Sequence, residues 1–158
     1  MFDLIHICLY VMHDQDLRLT NNRSPSDDLF VSQSNQFESL VLYNQKGKNF
    51  TAQALPIEAQ FSPIADIAIE DIDQDGYLDL ILGGNTTAVA SYFGSYQGNW
   101  GLILKGDANG SFKTFKESPL KIKGDVKKIK EVTVGTKKWF VFAKNNSSLE
   151  VLSTSKNR

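Results

Sequence analysis

The sequence predicts an all-β chain, and three observations support this prediction. Apolar and polar residues alternate with a period of two in most segments, whereas almost none has the 3.6-residue period of an amphipathic helix. Clusters of glycine, asparagine and aspartate separate these segments at short intervals, which is typical of antiparallel strands joined by turns. The same order of strands and turns also recurs along the chain.

The first predicted strands lie between residues 40 and 82. The apolar run 40–43 ends at a turn that contains Gly47, and Phe50 opens the return strand. Isoleucines recur in residues 64–69, and the run 78–82 forms the partner strand across an acidic loop. An earlier apolar run, residues 4–12, is interpreted as a buried strand. It lacks the basic start of a signal peptide, and it is shorter than the ~20 residues that cross a bilayer.

The remaining predicted strands follow a polar and aromatic segment at residues 86–99. Residues 100–104 and 112–115 flank a turn that contains Gly110. Residues 126–134 and 139–143 form one more pair, and residues 149–152 follow as a last short strand. Lysines alternate with apolar residues in residues 121–130, as in a half-exposed strand.

Two units about sixty residues apart share one order of features. In each, an apolar strand is followed by a glycine-containing turn, a phenylalanine and a proline, and residues 78–85 then line up with residues 139–146. Each unit holds about four short strands, which is the content of one propeller blade. The chain is therefore predicted to form about two β-propeller blades of four antiparallel strands, which do not make a closed ring.

The predicted organisation has four parts. Residues 1–36 form an irregular N-terminal segment that could hold part of a blade, and residues 37–63 complete one blade and link it to the next. Residues 64–118 form a nearly complete blade with the acidic loop, and residues 119–158 begin a final blade. Because a ring needs roughly four to eight blades, the chain is expected to be a C-terminal fragment or to self-associate.

The acidic loop is the candidate metal site. Calcium takes six to eight oxygen ligands at ~2.3–2.6 Å, so a site needs several carboxylates on a tight turn. Gly76 tolerates the positive φ that such a turn requires. Four carboxylates this close repel one another by roughly 1 kcal/mol per pair near 4 Å in water, which favours a bound cation. The predicted Ca²⁺ ligands are Asp71, Asp73, Asp75, the Tyr77 carbonyl and Asp79.

Two alternatives to this site were weighed. An EF-hand requires flanking helices and a glutamate at the twelfth loop position, but that position is Leu82 within a strand pattern. An acidic turn that stays in water without a metal remains open. Magnesium is less favoured than calcium, because it uses fewer carboxylates and keeps several waters.

The sequence resembles the calcium-binding repeats of the FG-GAP and VCBS-type β-propellers, the family that includes the integrin α-subunit propellers. The resemblance spans roughly residues 37–152 and lies in residues 55–64, 64–70, 71–79, 82–85, 101–107 and 109–112. It implies an extracellular or cell-surface protein that uses calcium for rigidity and its loops for binding. The last unit has Gly135-Thr136-Lys137-Lys138 in place of the acidic loop, so no calcium is expected there.

The expected function is non-catalytic binding or adhesion, with a protein or carbohydrate ligand. The aromatic side chains proposed to contact it are Tyr92, Phe93, Tyr96 and Trp100, which offer rigid contact area among small polar residues. Outside the acidic loop, the sequence has no cluster of polar residues that indicates an active site. The net charge of −1 argues against nucleic acid as a partner. Two alternatives stay open: part of a secreted metal-dependent hydrolase, or a purely structural propeller segment.

Overall fold

The computed structural model describes residues 36–87, 94–95, 97–116 and 120–153, together with the backbone of residues 5–6. One short 3₁₀ helix, Ile57–Gln60, and ten strands occur in this part of the chain. The strands are β1 (Ile5–His6), β2 (Leu40–Gln45), β3 (Asn49–Ala54), β4 (Ile64–Glu70), β5 (Asp79–Gly84), β6 (Leu102–Gly106), β7 (Phe112–Thr114), β8 (Val126–Val134), β9 (Lys137–Lys144) and β10 (Glu150–Ser153).

The strands form three antiparallel sheets. The first has the order β1-β2-β3, the second β4-β5-β6-β7 and the third β8-β9-β10, so neighbours in sequence are also neighbours in space. None of these sheets closes into a barrel, and the all-β prediction is confirmed. Among the described residues, no helix is long and apolar enough to cross a membrane.

Local turn chemistry explains where several strands end. At the β2–β3 turn Lys46 and Gly47 both have positive φ, and the Asn44 side chain accepts a hydrogen bond from the Gly47 amide at 2.6 Å. The β8–β9 turn has only two residues, with Gly135 at φ 62°. The strand predicted at residues 100–104 instead begins at Leu102, because Gly101 has φ 78°, which no extended strand accommodates.

The second sheet packs on both of its faces. All six residues of β5 are buried, and the side chains of residues 80–82 alternate between two apolar clusters. Leu80 and Leu82 lie in one cluster with Val41 of the first sheet, whereas Ile81 lies in the other with Phe140 and Phe142 of the third sheet. A strand covered on both faces needs apolar residues at consecutive positions, which explains the uninterrupted run at residues 80–82.

The second and third sheets approach each other closely near the end of β5. A Cβ atom added to Gly83 would lie 2.7 Å from Val126 Cγ1, which is much shorter than any normal contact. Beside this contact, the Asp66 carboxylate accepts hydrogen bonds from the Ile129 amide at 2.6 Å and from Lys128 Nζ at 3.0 Å. Apolar packing and a carboxylate therefore fix the two sheets in register.

The buried side chain of Asn85 joins three segments at the end of β5. Its Oδ1 accepts hydrogen bonds from Ser62 Oγ at 2.8 Å and from the Asn99 amide at 2.9 Å. Its Nδ2 donates to the carbonyls of Asn99 and Gly124, the latter at 2.9 Å. Because a buried amide is costly unless it is paired, this network specifies how the connections on either side of β5 are arranged.

Candidate metal centre

The acidic loop connects β4 to β5, the hairpin in which β4 is the edge strand of the second sheet. The last pairs of the hairpin ladder are Ile69 with Leu80 and Glu70 with Asp79, so the loop starts directly where the paired strands end. Its chain reverses through Gln74 at φ 63° and Gly76 at φ 91°. A rigid strand pair thus supplies both ends of the loop and limits where its carboxylates can lie.

Aspartate side chains hold the loop in its curled shape. Asp71 accepts hydrogen bonds from two backbone amides, Asp75 at 3.1 Å through Oδ1 and Gly76 at 3.0 Å through Oδ2. Asp75 in turn accepts one from the Tyr77 amide at 2.9 Å. Such side chain-to-backbone bonds are the reason that aspartate favours turns. The same residues that shape the loop also bring negative charge together within it.

Asp79 is the buried end of the loop. Its side chain accepts hydrogen bonds from the Ile72 amide through Oδ2 at 2.9 Å and from the Gly106 amide through Oδ1 at 3.0 Å. Burial raises the pKa of Asp79, the two amides lower it, and the charges of Asp73 and Asp75 raise it further, with a net increase. The carboxylate therefore connects the loop to β6. Its raised pKa means that ionising it costs more free energy than ionising an aspartate in water.

Three of the predicted ligand side chains converge. One carboxylate oxygen each from Asp71, Asp73 and Asp79 lies within 4.8 Å of the other two. Two ligands on opposite sides of a calcium ion lie about 4.6–5.2 Å apart, twice the metal–oxygen distance, so this spacing fits one calcium sphere. Asp75 lies outside this group, and the role of the Tyr77 carbonyl as a ligand stays a prediction.

A cationic side chain already contacts the loop. Lys105 on β6 forms an ion pair with Asp73 and a second one with Asp75, at 3.0 Å between Nζ and Oδ2. These hydrogen bonds, first to Asp73 and then to Asp75, raise the pKa of Lys105, and the ammonium group lowers the pKa of Asp75. The three converging carboxylates could hold a metal ion, but Lys105 is paired with one of them, Asp73, in this structure.

Sequence reasoning identified the acidic residues but missed Lys105. The register of β5 and β6 is what places Lys105 at the loop. Leu80 pairs with Leu104, so the next residue of β6, Lys105, lies opposite Asp79. Residues 85–101 separate the two strands, and so long a connection does not fix a register in the way that a two-residue turn does. The lysine could therefore not be assigned to the loop from its position in the chain.

The predicted ligand-contact surface is described only at one residue. Trp100 is 53% exposed, and Lys123 Nζ lies 4.7 Å from the centroid of its ring, a cation–π distance. Tyr92, Phe93 and Tyr96 lie outside the described residues. Whether these aromatic side chains form one surface with Trp100 stays a prediction.

Comparison with known proteins identifies no relative. No family model matches the sequence, and neither a curated protein nor a solved structure is similar to it at a significant level. The functional interpretation therefore depends on the geometry of this chain.

Proposed function

We propose that this chain is a non-catalytic calcium-binding module in which the metal stiffens the β4–β5 loop. The convergence of carboxylate oxygens from Asp71, Asp73 and Asp79 carries this proposal. Asp75 and the Tyr77 carbonyl are the proposed additional ligands, since calcium requires at least six oxygens, some of them from water. A bound ion would offset the mutual repulsion of these carboxylates.

The position of the loop supports a structural role for the ion. Asp79 already links the loop to β6 through the Gly106 amide, and Lys105 on the same strand contacts the other end of the loop. A calcium ion bound here would replace the single lysine charge by two charges, held by ligands from β5 and the loop together. The loop would then have one fixed conformation from which neighbouring side chains can bind a partner.

The wider assignment is a repeat module of the FG-GAP and VCBS type, at the cell surface or outside the cell, that binds a protein or carbohydrate. Two features support it: the antiparallel sheets stack face to face, and the acidic loop joins the first two strands of the four-stranded sheet. Further blades or a second copy of the chain would complete the propeller.

One observation favours a second function, a purely structural loop that never binds metal. Lys105 lies between Asp73 and Asp75 and supplies positive charge that the acidic turn otherwise lacks. Asp71 and Asp79 also have backbone donors for both of their carboxylate oxygens. In that case the lysine, and not calcium, would hold the loop closed.

Isothermal titration calorimetry with CaCl₂ on the wild type, Asp73→Ala and Lys105→Met separates the two functions. The calcium-binding module predicts one site per chain, abolished by Asp73→Ala and coupled to a higher melting temperature. A folded wild type with no heat of binding would establish the metal-free loop, provided that Lys105→Met also binds no calcium. Circular dichroism of each variant shows that it is folded.

A further inference from the structure

A surface cavity lies beside the end of the acidic loop, at residues 76–78. The end of this loop, strand β2 and the β6–β7 turn line this open cavity of about 330 Å³. Its main side chains are Tyr43, Tyr77, Leu78, Phe112, Asp107 and Asn109. Ligand pockets start at about 300 Å³, so a cavity of this size suits a ligand of one ring.

Glycines let the segments around the cavity approach each other closely. A Cβ atom on Gly106 would lie 2.2 Å from the Leu78 carbonyl oxygen, so only glycine fits between β6 and the loop. The ring of Tyr43 lies over Gly110, 3.4 Å from the position that its Cβ would occupy. The walls beside these glycines are therefore backbone and aromatic surface, together with the side chains of Leu78 and Ala108.

The polar groups of the cavity belong to the β6–β7 turn. Asp107 Oδ1 accepts hydrogen bonds from the Asn109 amide at 2.9 Å and the Ser111 amide at 3.0 Å, while Oδ2 receives none from the described residues. The Tyr43 hydroxyl donates to the Gly110 carbonyl, which holds the ring against this turn. The Asp107 carboxylate, which the amides of this turn hold, and the Asn109 side chain thus line the cavity beside aromatic surface.

We propose that this cavity binds the pyranose ring of a neutral sugar. The C–H face of a pyranose is apolar and weakly positive, so it stacks on the negative face of an aromatic ring such as Tyr77. Neighbouring hydroxyls on the ring edge then donate to the Asp107 carboxylate and form hydrogen bonds with the side-chain amide of Asn109. The inference deepens the proposed binding function, on which it rests, because Tyr77 and Leu78 belong to the metal loop.

Charge decides between this ligand and others of similar size. Among the described residues that line the cavity there is one carboxylate, Asp107, and no lysine or arginine. The acidic loop adds further negative charge next to Tyr77, so phosphorylated or carboxylated ligands are repelled. A quaternary amine would also suit aromatic rings and a carboxylate, but it has no hydroxyl for Asn109 to bind. The sugar is the ligand that uses both polar side chains.

The test is an NMR titration of the calcium-loaded, ¹⁵N-labelled full chain. The probes are methyl glycosides of glucose, galactose and mannose, with choline chloride and glycerol as competitors of other chemistry. At least one glycoside should shift the amides of Leu78, Asn109 and Gly110 saturably, with a dissociation constant on the order of 1 mM for so small a ligand. Choline and glycerol should leave these amides unchanged.

Variants then assign the binding to the cavity. Tyr77→Ala should weaken binding about tenfold and Tyr77→Phe by less than about twofold, since the ring does the stacking. Asp107→Asn should also weaken binding about tenfold, because the amide keeps one acceptor but loses the charge. Phe61→Ala is the control, since this exposed aromatic side chain does not line the cavity, and it should bind as the wild type does.

Each outcome is decisive. Saturable binding that depends on Tyr77 and Asp107 supports the sugar site. Binding of choline alone, no binding of any glycoside, or a loss of binding only in Phe61→Ala overturns it. Calorimetry with CaCl₂ on the same samples separates the two proposals: calcium binding without sugar binding refutes only the sugar site, and sugar binding without calcium binding refutes the metal module.

Discussion

Gly83→Ala tests the packing between the second and third sheets. The new Cβ would lie 2.7 Å from Val126 Cγ1 and 3.0 Å from Ile129 Cδ1. Carbon atoms pack best at about 3.5–4.0 Å, so the nearer atom must move by roughly 0.8–1.3 Å. Val126 is fully buried and stiff at χ1, which leaves it little room to move. We expect a loss of about 2 kcal/mol in unfolding free energy, within the usual range for overpacking.

The assay is urea denaturation at constant calcium, combined with a thermal melt. A loss of about 2 kcal/mol corresponds to roughly 6 °C in melting temperature for a chain of this length. Val126→Ala alone should also cost about 2 kcal/mol, because it leaves a cavity. In the double variant the added methyl group fills part of that cavity, so the losses should fall short of their sum by about 1 kcal/mol.

Additive losses in the double variant, or a Gly83→Ala protein as stable as the wild type, would refute this packing. A glycine that contacts nothing costs little to replace by alanine and can even stabilise a chain through its unfolded state. A lower unfolding free energy of Gly83→Ala therefore indicates close packing of β5 against β8, and an unchanged or higher one indicates loose packing. The coupling between the two substitutions then identifies Val126 as the contact.

Three further predictions concern the charged groups. Asp79→Asn should lower the unfolding free energy in urea by about 1–3 kcal/mol, because an amide offers one acceptor oxygen to two backbone donors. Burial raises the pKa of Asp125, but hydrogen bonds from Lys127 and Thr87 outweigh it, and the pKa is lowered overall. The stability that Asp125 contributes is therefore present near neutral pH and lost as the pH falls below about 4, so Asp125→Asn should flatten the acid side of a melting-temperature profile. Lys105→Met should lower the melting temperature without calcium and tighten calcium binding in calorimetry, whereas an unchanged affinity would contradict competition between Lys105 and the ion.

Strand positions could be predicted from the sequence because alternation and turn residues agree. The pattern at residues 126–134 and the two-residue turn after it set the long β8–β9 hairpin, and its bounds were predicted within two residues. At residue 78 the prediction was wrong: Leu78 was placed in the strand, but it is 52% exposed and β5 begins at Asp79. The apolar character of a residue next to the acidic loop does not show whether its backbone is paired in the strand.

The internal correspondence was wrong by one residue. The sequence aligned Ile81 with Phe142, yet Ile64 pairs with Gly84 as Val126 pairs with Lys144, and each pair is followed by a bulge. The register therefore places Leu82 level with Phe142, and both face the preceding sheet. A shift of one residue reverses which face a strand residue occupies. Uninterrupted apolar runs such as residues 80–82 hide that shift.

The candidate site was only partly predictable. Asp71, Asp73 and Asp79 could be grouped from their spacing along one loop, and the structure brings them together. Lys105, the Asp107–Asn109 turn and Tyr43 come from separate strands, and only the register between those strands brings them next to the loop. Local spacing reports on residues of one turn, whereas contacts between strands depend on the whole sheet.

The double-sided burial of β5 has a consequence for how the protein opens. Leu80 and Leu82 belong to one apolar cluster and Ile81 to the other, so neither cluster can be exposed to water without disturbing this strand. The two clusters should therefore unfold as one cooperative unit, with the β5 amides exchanging with deuterium at the rate of global unfolding. The amides of β3, whose six residues are all exposed, should exchange sooner through local fraying.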